Sequence, residues 1–332
     1  MTDIRSSLID YATRSKIRNG WHFLSYHFGF FDNGVEHPLA KSIIDACVDC
    51  ERALPGAGFG AIDKLAGPGG RVKYEPHYEQ LLQSLAELFV VRQVLKHPWP
   101  GSPTFRLEPT TGSSGKNPEM TVSYGAYTIG VEVKAPSLLA HMRSRALYPM
   151  QRLSRQDHLN ELAKEMFPDY DIPLPKDHPV LRYLRSANDK FREFRALDEN
   201  FYGILVIVWD DFINEPISAL HSGSSGLFTP NSFSRGPDGK AEVFKNVDVV
   251  VLIRQLHQFI RATRDEPLAD GKNFALDYGD DADFPPKAFI EVPNGRVLPE
   301  EVRWPMVLCF QAYPPQPMMG AEYIAGDVVF WQ

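Results

Sequence analysis

Between His77 and Leu95 the chain reads HYEQLLQSLAELFVVRQVL, with Leu81, Leu82, Leu85, Leu88 and Phe89 at the spacing of one helix face. The opposite stripe begins polar at Gln80, Ser84 and Glu87 and turns apolar at Val91 and Val94. The pattern predicts a helix over 77–95, with Glu87 where it passes from half-exposed to buried all round. A second helical pattern covers 181–197, with Leu181, Leu184, Phe191, Phe194 and Leu197 inside and Arg182, Arg185 and Arg192 outside. FYGILVIVW (201–209) and NVDVVVLI (246–253) show no alternation, so each is predicted as a strand covered on both faces. TFRLEP (104–109) is predicted as a further strand.

The stretch from Met1 to about Ala53 reads as helical, and the glycine-rich PGAGFG (55–60) and AGPGG (66–70) mark a loop or boundary after it. Residues from 138 to the second helix read as mostly helical, broken by FPDYDIPLPKDHP. Beyond 260, KAFIEV and PMVLCFQAY read as short strands among irregular structure. This order predicts an α/β fold, with helices packed on a mixed β-sheet.

Residues 117–136, NPEMTVSYGAYTIGVEVKAP, have the period of a β-hairpin. Tyr127, Ile129, Val131 and Val133 share one face of the second strand, and Thr128, Gly130, Glu132 and Lys134 share the other. A turn at Tyr124-Gly125 pairs Val122 with Tyr127, Met120 with Ile129 and Glu119 with Gly130, leaving all apolar residues on one side. Glu119 is then diagonal to Glu132, with Cβ atoms roughly 7–8 Å apart. Carboxylates closing to about 5 Å repel by about 3 kcal/mol at an effective dielectric of 20. A divalent cation turns that cost into a binding site, and Gly130 leaves open space beside it. Oxygen ligands plus waters suit Mg²⁺, which acidifies a water and stabilises charge on a phosphate. Lys134, on the same face, is placed to orient that water or neutralise the transition state. A solvated strand face carries the same residue types. Two other acid-x-Lys triplets, Asp238-Gly-Lys240 and Asp270-Gly-Lys272, fall in glycine turns instead.

Composition narrows the class. A chain of 332 residues, 43% hydrophobic and 23% charged, can bury a substantial core. No run of eighteen apolar residues or signal-peptide apolar region is present, and three cysteines fit a reducing compartment, so a cytoplasmic protein without a membrane segment is expected. The net charge of −7 repels polyanions overall, yet residues 141–195 hold eleven Lys/Arg against eight Asp/Glu, and 263–301 hold four against ten. Nucleic acid is therefore expected to approach the middle of the chain.

SLAELFVV with Glu87, NPEMTV with Glu119 and GVEVKAP with Glu132 and Lys134 together resemble the PD-(D/E)XK nuclease superfamily, whose fold is restriction-endonuclease-like. The motifs span about 75–210. The resemblance implies a core at 71–260, an N-terminal helical extension at 1–70 and an acidic C-terminal α+β extension at 261–332. It implies Glu87, Glu119, Glu132 and Lys134 as catalytic residues, with Mg²⁺ or Mn²⁺ held by Glu119, Glu132 and the Val133 carbonyl. It further implies a basic or amide residue from the later helix, for which Asn188 and Lys190 are the candidates. With Lys116 and Arg192 these two are also the expected DNA contacts. Glu119 stands where the pattern has aspartate, one methylene (about 1.5 Å) longer. The expected function is hydrolysis of DNA phosphodiester bonds by a metal-activated water. The alternative is a catalytically inactive nuclease-like binding or assembly module.

Smaller signals have blander readings. Cys47 and Cys50 (CVDC), with His22, His27 and His37 nearby, are read as buried thiols on one helix, a zinc-stabilised interaction protein being the third hypothesis. The aromatic run Trp21–Phe31 is assigned to core packing or a homodimer contact before base stacking. His77 is read as a surface or capping residue, GDDADF (279–284) as solvated acid, and SGSSG (222–226) as a turn.

Overall fold

A computed structural model describes residues 3–68, 75–111, 116–139, 150–151, 165–166, 168, 179–210, 214–223, 225–277, 287–293, 296–312 and 329–330. The strands are β1 (Thr104–Leu107), β2 (Met120–Tyr124), β3 (Tyr127–Lys134), β4 (Met150–Gln151), β5 (Phe201–Trp209), β6 (Val249–Arg254), β7 (Lys287–Glu291) and β8 (Val329–Phe330). Six of them form one mixed sheet in the order β1-β2-β3-β5-β6-β7, while β4 and β8 pair separately. β2 runs antiparallel to both β1 and β3, β3, β5 and β6 run parallel, and β7 returns antiparallel at the far edge. The helices are α1 (Ile4–Arg14), α2 (Ser25–Gly29), α3 (Pro38–Ala53), α4 (Ala57–Ala66), α5 (Glu75–Lys96), α6 (Pro179–Leu197), α7 (Asn214–His221), α8 (Leu256–Thr263) and α9 (Glu300–Phe310). The expected α/β class, a mixed sheet flanked by helices, is what the chain forms. Among the described residues no helix is long and apolar enough to cross a membrane.

Each face of the sheet has its own core. Met120, Val122, Ile129, Val131, Val133 and alternate residues of β5 and β6 pack on α5, α8, α9 and the N-terminal helices. Leu205, Ile207, Trp209, Val250 and Leu252 pack on α6 and α7. This two-sided cover is why β5 and β6 carry no polar alternation. Within α6, Leu184 and Phe191 are buried and Leu181 and Phe194 pack against that core, as their spacing predicts. Leu197 is not inside: it ends the helix and is 75% exposed.

Three local expectations are corrected. PGAGFG is not a loop throughout, because α4 begins at Ala57 and runs through Gly58 and Gly60. Gly58 is needed there for close approach, since a Cβ would lie 2.9 Å from the Glu51 Cβ on α3. PMVLCFQAY is not strand: Pro305 lies inside α9. Its missing N–H frees a carbonyl one turn back, and the Tyr124 hydroxyl donates to the Glu301 carbonyl at 3.0 Å. The hairpin turn is Gly125-Ala126, not Tyr124-Gly125, with Gly125 at φ +54 and Tyr124 paired with Tyr127. The pairing moves by two positions, so every side chain keeps its predicted face.

Gly130 and Gly203 are direct partners across β3 and β5, and they do not leave open space. A Cβ on Gly130 would lie 2.9 Å from Phe201 Cε2, and one on Gly203 2.7 Å from the Asn246 carbonyl oxygen. The rings of Phe191 and Phe201, 5.7 Å apart, fill the hollow above both glycines. Gly203→Ala is accordingly expected to destabilise the fold by about 1–3 kcal/mol through overpacking, read as a lower urea midpoint. An unchanged midpoint would show that α6 can lift off the sheet at no cost.

Candidate functional site

The end of the β2–β3 pair gathers four carboxylates and three ammonium groups. Glu132 is central in β3 and fully buried beneath α6. Burying an isolated carboxylate is costly, and the fold answers with two lysines. Lys134 Nζ lies 2.5 Å and Lys190 Nζ 2.7 Å from Glu132 Oε1, and Lys190 also donates to Oε2 at 2.9 Å. Of the two α6 candidates, then, Lys190 reaches the acid. Asn188 instead accepts a hydrogen bond from the Asn246 backbone N–H at 3.0 Å and so fixes the approach to β6.

Glu119 lies one residue before the β2–β3 ladder, where the register continues opposite Glu132. Its backbone carbonyl accepts from the Glu108 N–H at 2.9 Å. Its side chain engages a different cation from Glu132. Lys64 of α4 places its ammonium 3.1 Å from Glu119 Oε2, 3.3 Å from Glu87 Oε2 and 2.7 Å from Glu108 Oε1. Three acids from α5, the end of β1 and the start of β2 thus surround one positive charge.

The local electrostatics follow from that arrangement. Burial, and next the neighbouring Glu119 charge, raise the Glu87 pKa above the ordinary 4.5, while Lys64 and Lys134 pull it back. Burial is also the largest influence on Lys64, opposing its charge, yet Glu119, Glu87 and Glu108 outweigh it and hold its pKa above the ordinary lysine value. Because Glu87 feels the charge of Lys134, the Lys64 cluster and the Glu132 cluster are electrostatic neighbours. A cavity of about 340 Å³ opens beside the first, lined by Lys64, Glu87, Glu108 and Glu119 on its polar side and by Cys50, Ala61, Leu88 and Val91 among its apolar residues.

As the side chains stand, no three His, Cys, Asp or Glu among the described residues are close enough together to hold a metal. The oxygens around Lys64 are 2.7–3.3 Å from its nitrogen, against about 2.0–2.1 Å for Mg–O bonds. The donor chemistry nevertheless suits a hard cation, since Glu87, Glu108 and Glu119 are all oxygen ligands already gathered on a positive charge. Val133 is enclosed in the parallel ladder opposite Val206.

No family model, curated protein or solved structure matches this chain.

The remaining candidates fall outside the cluster. Lys116 pairs with Asp189 at 3.3 Å, and Arg192, 61% exposed, lies 3.7 Å from the same aspartate. Cys47 and Cys50 are buried on α3, and burial pushes the Cys50 thiol up to about 12, so neither is a ready thiolate for zinc. His22 and His37 each use both ring nitrogens, toward Leu24 and Leu65 and toward Leu39 and Asp265. The aromatic run divides: Phe28 is fully buried, whereas Trp21 is 80% exposed. His77 lies in the first turn of α5. The acidic run 279–284 lies outside the described residues.

Sequence reasoning missed Lys64 and Glu108. Lys64 sits just after a glycine-rich stretch that reads as a loop, and Glu108 follows the last residue of β1 at φ +44. Neither belongs to a spaced motif.

Proposed function

We propose that this protein is a metal-dependent nuclease with a restriction-endonuclease-like core, hydrolysing DNA phosphodiester bonds at the end of the β2–β3 pair. The observation that carries the reading is that Glu87 and Glu119, held on Lys64, are electrostatic neighbours of Glu132 and Lys134, from a helix and two adjacent strands. The element order supports it: a glutamate-bearing helix, three antiparallel strands and a later helix that supplies Lys190. Glu87, Glu119 and Glu108 are the residues that would hold Mg²⁺ or Mn²⁺, in place of the expected set of Glu119, Glu132 and the Val133 carbonyl, because Glu132 is taken up by Lys134 and Lys190. Such an ion supplies an acidified water and neutralises charge on the phosphate.

The chain's own part is electrostatic. Lys134, 24% exposed, and Lys190, 20% exposed, remain partly open to solvent while bound to Glu132. They present positive charge toward an incoming phosphate without needing to move. Glu132 keeps both ammonium groups at fixed positions, and Glu87 links them electrostatically to the cation locus.

Supercoiled plasmid incubated with the purified protein is the direct test. Nicking is expected with Mg²⁺ or Mn²⁺ and is expected to stop with EDTA. The rate should fall as the pH is lowered through the range above 4.5, because a raised Glu87 pKa keeps a proton on the locus at a higher pH than an exposed glutamate would. Intact plasmid under every divalent ion would end the catalytic reading.

One observation favours a second reading. Every acid of the cluster already has a lysine partner, which is the condition of a stable, inactive nuclease-like binding module. That module binds DNA with the same affinity in EDTA and in Mg²⁺, and leaves it uncut.

A further inference from the structure

The position of Lys64 has a meaning that the motif does not supply. It belongs to α4, outside the motif-bearing stretch, yet its ammonium lies within 3.3 Å of Glu87, Glu108 and Glu119. An ammonium has three N–H donors, and three carboxylates surround it. One positive charge against three negative ones leaves the locus with a net excess of negative charge, and a divalent ion would relieve more of it than the lysine does. The three oxygens lie 2.7–3.3 Å from the point that the Lys64 nitrogen occupies, so an ion bonded to all three at about 2.0–2.1 Å needs that point vacated and the carboxylates drawn inward.

We propose that Lys64 is a tethered occupant of the cation locus formed by Glu87, Glu108 and Glu119, and that a divalent metal enters only when its ammonium leaves. The inference rests on the metal-dependent reading of this site and adds to it a built-in competitor and a further acidic residue, Glu108. The departure route is short. The Lys64 side chain is 42% exposed, it stands in the last turn of α4, and the adjoining 340 Å³ cavity gives its flexible stem room to swing. A lysine ammonium is strongly hydrated, so solvent accepts it readily. Glu108 sits on the opposite side of the competition. It makes the shortest of the three contacts to Lys64, and its carboxylate is positioned to become the third oxygen donor once the ammonium is gone.

Competition of this kind lowers the apparent metal affinity by the fraction of molecules with the locus vacated. Mn²⁺ titration of the full-length protein, followed by the paramagnetic resonance of free Mn²⁺, reads it directly. Lys64→Met is expected to bind Mn²⁺ about tenfold tighter or more than the parent, and Glu108→Gln to bind it more weakly. Lys64→Gln, which keeps the polar stem, is expected to show the same sign as Lys64→Met and replaces it should the methionine variant not fold. Unchanged or weaker Mn²⁺ binding in the folded Lys64 variant would overturn the proposal. The two readings fail separately. Tighter binding by the variant without nicking by the parent removes the nuclease and leaves the competitor. Nicking by the parent with unchanged affinity in the variant removes the competitor and leaves the nuclease.

Discussion

Glu119→Gln is expected to lower Mg²⁺-dependent nicking of plasmid DNA by at least about 100-fold, because it alters a carboxylate assigned to hold the ion, and even a partner one step out from a metal costs about 10–100-fold when lost. The change is close to isosteric, and the Glu119 side chain is 13% exposed, so the fold should survive it. Stability is expected to hold or rise slightly. Glu119 is the neighbouring charge that pushes the Glu87 pKa up, and its removal relieves that repulsion while Lys64 keeps Glu87 and Glu108 as partners. The decisive comparison sets the nicking rate beside the thermal midpoint of the same preparation. A variant that melts like the parent and cuts like the parent removes Glu119 from the chemistry. Glu132→Ala is a less clean probe, because it strands two ammonium groups against the sheet.

The second large effect is on folding. Glu132 is wholly buried and its charge is matched by Lys134 and Lys190. Replacing both lysines with methionine leaves a carboxylate in the interior with neither ammonium, a loss expected at about 3–5 kcal/mol near neutral pH. Each single replacement keeps one ammonium and should cost much less, so the pair is strongly non-additive. The double variant's deficit should shrink on acidification. Protonation removes the charge that burial penalises, so its folded state takes up a proton more readily than its unfolded chain, and stability is lost as the pH rises. Urea titrations of the parent, both single variants and the double variant across pH give the complete cycle. Additive single effects, or a deficit that does not depend on pH, would mean that Glu132 is not balanced by these two residues.

Much of the frame was legible from hydrophobic period. α5, α6, β5 and β6 follow from runs long enough, or apolar enough, to leave one interpretation. The hairpin faces were legible too, because a register error of two positions preserves side-chain alternation. What escaped depended on tertiary partners. α9 holds a proline that reads as a break until the hydroxyl of Tyr124, far away in sequence, satisfies the carbonyl it frees. The space expected beside Gly130 is taken by Phe191 and Phe201, whose approach no local pattern announces. Glu119 and Glu132 were legible as neighbours, but a strand pattern cannot say which cation each one meets. Lys64 arrives from a helix hidden in a glycine-rich stretch, and close packing of α3 on α4 is what makes those glycines helical.

The helices α3 and α4 lie in the same hydrophobic core as α5, which bears on how the chain can be divided. Leu65 and Ala66 of α4 and Ile44 and Cys47 of α3 are buried in the cluster that also holds Leu81, Leu85 and Leu88 of α5. A recombinant fragment starting at residue 71 would bring the motif stretch into solution with one flank of α5 stripped bare. Its yield would be limited by self-association, and an inactive fragment would say nothing about the intact protein.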